Sequence, residues 1–189
     1  MPVRLILFVY VIGVQGNMAN RSLIFSLDKL PGEGKLRIKG LSESEYSIPF
    51  IYRILVSVNP QATHSIIWKT DEKIAITTDY AGGVARLADF FERLPKNKKD
   101  KKDAEKVLKF LNDEANAGKY IHLECGEIFE MEDEEPEVQN TNLIAELSDI
   151  DNTMDKEIKC ITAGDRFALQ ELPENYWTNI LYFSPGSDD

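Results

Sequence analysis

The chain has 189 residues, 43% of them hydrophobic, enough to bury one sizeable core but not two full domains. Its formal charge of -10 repels polyanions at long range, which argues against general affinity for nucleic acid or anionic membranes and makes a basic protein the expected partner. The charge is lopsided: residues 1–123 carry 14 acids against 19 bases, whereas residues 124–189 carry 18 against 3.

Residues 1–17 contain Arg4, the apolar run LILFVYVIGV and then Gln15-Gly16, the charged, apolar and small order of a secretory signal. The run is too short to cross a bilayer as a helix. Met18 opens a second start, MANRSLIFSLDKLPG, which reads as an ordinary cytosolic N-terminus. Residues 1–17 are therefore a signal-like segment or an upstream-start artefact, and residues 18–189 are expected to form a single domain. Cys125 and Cys160 are too few for a disulfide-stapled secreted fold and fit buried thiols of a reducing compartment.

From Met18 the pattern predicts a strand over 22–27, with Leu23, Phe25 and Leu27 on one face, and a loop over 29–34 around Pro31, Gly32 and Gly34. A short strand at 36–38 precedes the polar Ser42-Glu43-Ser44-Glu45. A helix starts at Ser47-Ile48-Pro49 and stops before Pro60. Strands 65–68 and 73–78 read as a hairpin about the polar turn 69–72. The chain is organised around residues 74–94, IAITTDYAGGVARLADFFERL. There the strand alternation of Ile74 and Ile76 gives way at Gly82-Gly83 to helical spacing through Val84, Leu87, Ala88, Phe91 and Leu94. Asp79 caps this helix, and the glycines permit a tight turn. Such a turn also offers backbone N–H groups to a phosphate, and Asp79, Gly82, Gly83, Trp68 and Arg86 make up that candidate ligand site. Neither the Rossmann glycine spacing nor the Walker lysine is present, and Asp79 is itself an anion.

The opening Met18-Ala19-Asn20-Arg21-Ser22 with LIFSLDKLPG, together with DYAGGVARL at 79–87, resembles a group of uncharacterised bacterial proteins that begin at the equivalent methionine. The likeness runs over most of residues 18–94. It implies that residues 1–17 are an upstream-start artefact and that the protein is cytoplasmic, a secreted or periplasmic location being the alternative if residues 1–16 are a signal. It brings no active site with it.

Residues 96–102 hold five lysines in seven positions and read as a solvated loop, without an aromatic to stack on a base. A helix follows over 104–115, with Gly118 as its stop. Strand 120–125 points Ile121, Leu123 and Cys125 one way and Tyr120, His122 and Glu124 the other. His122 and Cys125 therefore face apart, and neither a metal nor a cofactor is expected. Residues 127–142 read as an acidic linker, in which Glu132, Asp133, Glu134, Glu135 and Glu137 form the candidate partner surface. A short helix at 143–150, strands at 158–162 and 167–169, and a final strand at 177–183 carrying core aromatics complete the reading.

There is no Gly-x-Ser-x-Gly elbow and no His-x-x-Glu-His arrangement; a carboxylate pair such as Asp71 and Asp79 could converge near the hairpin exit, but any acidic protein offers such pairs. The expected fold is α+β, a mostly antiparallel sheet with helices packed on one side. The expected function is a protein-interaction module acting through the acidic C-terminal third, an immunity or antitoxin-like role being one form. The alternative is a small enzyme or ligand-binding domain with its site at the 79–83 turn.

Overall fold

Alternation of apolar and polar residues builds the sheet, and the two faces it creates are covered in different ways. The computed structural model describes residues 19–95, 97–164 and 176–183. Among these residues five strands, β1 (Arg21–Leu27), β2 (Ile38–Glu45), β3 (Gln61–Thr63), β4 (Ala75–Asp79) and β5 (Tyr120–Glu124), form one sheet in the order β2-β1-β5-β4-β3. Every neighbouring pair is antiparallel. Among the described residues six helices accompany it: α1 (Phe50–Leu55), α2 (Tyr80–Arg93), α3 (Lys98–Leu111), α4 (Gly126–Phe129), α5 (Pro136–Leu147) and α6 (Ile150–Thr162). The fold is α+β with an antiparallel sheet, as its sequence leads one to expect. Among the described residues no helix is long and apolar enough to cross a membrane.

The first face is dry. Ile24, Ile76, Ile121 and Leu123 point into a cluster with Leu55 of α1, Leu87 and Phe90 of α2, Val107 and Leu111 of α3, Leu143 of α5 and Met154 of α6. A fully buried Leu or Phe of this kind contributes about 1.5–3 kcal/mol. Asp79 caps α2 by accepting the Gly82 N–H at 2.6 Å. Gly83 is required where α1 meets α2, because a Cβ there would collide with the Leu55 carbonyl oxygen. Phe90 is the fully buried aromatic of α2, and Phe91 only packs against the cluster from outside.

The second face carries Leu23, Phe25 and Leu27, covered by Ile38, Ile66, Ile67, Tyr120 and Leu181. Here the sequence reading needs correcting. Residues 65–68 are not a hairpin strand; the partner of β4 is β3, directly after Pro60. Ser65 Oγ accepts the N–H groups of Ile67 and Trp68 at 3.0 and 2.8 Å, which curls the chain out of any ladder and lays it over the sheet. The short strand at 36–38 is instead the eight-residue β2, which runs through the polar Ser42-Glu43-Ser44-Glu45. A bulge opposite Ile24 and Phe25 lets that edge strand bury both Leu41 and Ser42.

Four further expectations give way. From residue 98 the lysine run is not a loop: Asn97 accepts the Lys99 N–H at 2.9 Å and starts α3 at Lys98, and Lys99, Lys101 and Lys102 are exposed in its first turns, Lys96 lying outside the described residues. The stretch 127–142, read as a linker, holds most of α4 and the first half of α5. Residues 158–162 are the last turn of α6, not a strand, and Cys160 is exposed, unlike buried Cys125. Trp177 makes a single bridge to Ser42, after which the chain follows the β2 edge without forming a strand. Trp177 packs edge-on to Tyr52 in the core, whereas Tyr176 and Tyr182 are exposed. The expected strand at 167–169 lies outside the described residues.

Candidate functional site: an acidic cleft beside α5

Between α4 and α5 the chain turns back within a few residues. Glu132 N–H bonds to the Phe129 carbonyl, and Gln139 Nε2 donates both to that carbonyl at 2.8 Å and to the Glu134 carbonyl at 2.6 Å. Pro136 sits in the first turn of α5, and Glu134, Glu135 and Glu137 cluster at its positive N-terminal end. The acidic peak is therefore a pinned connection with a local electrostatic reason to exist.

This connection walls a cleft of about 450 Å³. Ile48, Phe129 and Leu143 line its apolar part, and Glu132, Glu134 and Glu146 bring three carboxylates to it against one cation, Arg53. Arg53 is already bridged to Glu146 at 3.0 Å, and Glu134 Oε2 accepts from Asn142 at 3.2 Å. Two large side chains stand open at the rim: Tyr46, 56% exposed and held at a φ of 58°, and Met131, 49% exposed. Carboxylates next to an aromatic ring and a thioether suit a Lys or Arg side chain, whose methylene stem needs apolar contact and whose head needs charge.

Of the candidate partner residues, Glu132 and Glu134 line the cleft; Asp133, Glu135 and Glu137 are exposed beside it, Glu137 accepting the Lys73 N–H at 3.3 Å. Much of the remaining acidic third is engaged within the molecule. Asp151 pairs with Arg86, and Asp155 with Arg93, fastening α6 to α2. Glu124 is buried, and Glu127 accepts the Arg21 N–H at 2.7 Å. Burial pushes the Glu127 carboxyl above the usual carboxylate range, partly offset by that hydrogen bond and the Arg21 charge. Among the described residues the acids without an internal cation are densest in the 130–137 connection.

The alternative site does not assemble. Asp79 is occupied with capping, Tyr80 N–H bonds to the Lys119 carbonyl at 3.0 Å, and Gly82 and Gly83 are filled by Val58 and the Leu55 carbonyl. Arg86 reaches Ser57 and Asp151. Trp68 lies at the opposite end of β4, where a Cβ on Gly126 would come within 2.6 Å of its indole nitrogen.

Sequence reasoning missed a second arrangement, on the loop-covered face of the sheet. Thr63 and Thr77 hydroxyls are 2.8 Å apart, Thr77 Oγ1 is 2.7 Å from His122 Nδ1, and His122 Nε2 is 2.8 Å from Glu124 Oε1. Glu124 also accepts from Ser65 Oγ at 2.8 Å and the Ile66 N–H at 2.6 Å. Thr77, His122 and Glu124 are at most 1% exposed. The order hydroxyl, imidazole, carboxylate is that of an activated nucleophile, but it is sealed. The signal available in the sequence was His122 and Glu124 sharing one face of a strand. Cys125, on the other face, is a thiol whose pKa is driven up by burial and by Glu124, the opposite of a reactive cysteine. Among the described residues no group of three or more His, Cys, Asp or Glu is placed to hold a metal ion.

A sheet of this order, with helices on one face and loops on the other, defines an α+β domain with a cleft at the α4–α5 connection. The chain belongs to a domain family of unknown function, DUF7822, whose model matches residues 28–163 and so spans both the cleft and the sealed row. No curated protein and no solved structure matches the chain.

Proposed function

We propose that the protein is an interaction module that docks a basic protein through the cleft at the α4–α5 connection. The observation that carries this is the set of three carboxylates around an apolar floor with Arg53 as the one internal cation among the lining residues. Long-range attraction steers a cationic partner toward such a surface, and the exposed Tyr46 and Met131 supply apolar contact once it arrives. Neutralisation of a basic toxin by an acidic immunity or antitoxin-like protein is one form of this chemistry. The cytoplasm is the proposed place of action. The filled 79–83 turn offers nothing in favour of the enzyme or small-ligand reading.

The test is capture from cells of the source organism at low and high salt, with the wild type and a Glu132→Lys/Glu134→Lys variant. A basic protein held by the wild type at low salt, and released both by salt and by charge reversal, supports the proposal. Capture of the same protein by both forms, or capture indifferent to salt, contradicts it.

A further inference from the structure

We propose that residues 65–68 are a flap, latched by the Glu124 carboxylate, over the row Thr63–Thr77–His122–Glu124. The proposal is independent of the cleft and rests on Glu124 bonding both to the segment above it and to His122, with an assignment of donors and acceptors that satisfies the whole row. An ionised carboxylate only accepts, so Glu124 takes the Ser65 hydroxyl at Oε2 and both the Ile66 N–H and the His122 Nε2–H at Oε1. With Nε2 donating, the Nδ1 of a neutral ring accepts from the Thr77 hydroxyl, whose oxygen in turn accepts from Thr63. Every polar group in the row is then satisfied, and the row ends on the same carboxylate that fastens the chain above it.

The flap is built to move as a piece. Ser65 Oγ gathers the N–H groups of Ile67 and Trp68, so the segment is folded on itself. It has no strand pairing between Thr63 and Ala75. Its apolar hold is Ile66 and Ile67 against Leu23, Phe25 and Leu27, a small patch compared with the helix side. Trp68 at its end rests on Gly126 and is 43% exposed. Fastening the segment above accounts for the Glu124 carboxylate but not for the imidazole and two hydroxyls in line behind it, since buried polar pairs are often no more stabilising than apolar residues of the same volume. Lifting the flap bares Thr77 Oγ1 and the His122 ring together, in hydrogen-bonding order. The Glu124 latch therefore gates access to that pair.

Carbethoxylation of the full-length protein by diethyl pyrocarbonate, followed by mass spectrometry, reads the gate directly. His64, at the base of the flap and exposed, is the internal control, and His122 is the reporter. Ser65→Ala removes the latch bond to Glu124, and with it the acceptor of the Ile67 and Trp68 N–H groups, without touching the sheet, and is expected to raise the rate of His122 modification at least about tenfold, as loss of a hydrogen bond to a charged group implies. His64 modification and amide exchange at Leu87, Phe90 and Ile121 are expected to stay as in the wild type. Glu124→Gln is expected to raise the His122 rate further. If Glu124→Gln does not fold, Ser65→Ala alone decides. A His122 rate in Ser65→Ala equal to that of the wild type, or one that rises only in step with exchange of the helix-side amides, overturns the proposal.

Discussion

The two faces of β5 are made from the same five residues and end up with opposite chemistry. Ile121 and Leu123 point into helices, whose backbone groups bond internally, so that face asks for nothing but apolar volume. His122 and Glu124 point at a segment without regular structure, whose backbone N–H groups need acceptors from outside, and Glu124 supplies one to Ile66. Helix cover permits a dry face, whereas loop cover asks for an acceptor where a backbone N–H meets the sheet, as at Ile66, beside the apolar Leu23, Phe25 and Leu27. The polar row is thus the counterpart of the flap above it.

The comparison is sharpest in the cores. Phe90→Ala should cost about 3–5 kcal/mol, because the cavity opens among helices that cannot collapse onto it. Ile67→Ala, on the half-buried flap, should cost roughly a third of that. Urea unfolding measures both, and equal losses would break the distinction between the two faces.

Glu124→Ala comes next. It leaves the Ile66 N–H, the Ser65 hydroxyl and a His122 nitrogen without their acceptor, at about 1–3 kcal/mol for each group that stays buried. Replacing both partners, as in His122→Phe/Glu124→Leu, is expected to cost less than Glu124→Ala alone, because the imidazole is removed with the carboxylate. A double variant less stable than the single one would show that the row contributes more to stability than its burial costs.

A third prediction concerns alkaline pH. Burial pushes the Tyr80 hydroxyl from its ordinary value of 10.0 up to about 12, and it donates to the Leu111 carbonyl at 2.7 Å. The folded state holds this proton more tightly than the unfolded chain. Its contribution is therefore complete below about 10 and is lost as pH rises from there to about 12. Unfolding midpoints across that window should fall for the wild type and fall less for Tyr80→Phe; parallel declines would count against it. The smallest effect is expected at the cleft. Glu132→Gln/Glu134→Gln should shift stability by no more than about 0.5 kcal/mol in chemical unfolding, since both side chains are exposed.

Legibility in the sequence followed the same division. The β4–α2 stretch was readable because both its periods and its Asp79 cap are local. The fold class followed from that stretch together with the alternation in β1 and β5. β2 was truncated in the reading because a bulged edge strand tolerates Ser and Glu. The lysine run passed for a loop because charge said solvent, and a solvent-facing helix turn satisfies that equally well. The flap passed for a strand because Ile66, Ile67 and Trp68 have the right composition, and the Ser65 hydroxyl that curls them out of the ladder is itself held by Glu124, far along the chain. For the site, Glu132 and Glu134 were visible as charge, but Tyr46 and Ile48, which complete the cleft from the β2–α1 connection, were not. The arginines that pair with Glu146, Asp151 and Asp155 were equally hidden, because each lies more than sixty residues away in sequence.

The most direct test of the cleft is an NMR titration of the isotope-labelled protein with a short lysine-rich peptide at low salt. Shifts concentrated at Tyr46, Met131, Glu132 and Glu134, and abolished in Glu132→Lys/Glu134→Lys, are the expected result. Shifts spread evenly over the exposed carboxylates of α6 as well, or unchanged by the charge reversal, would contradict a specific cationic docking site there.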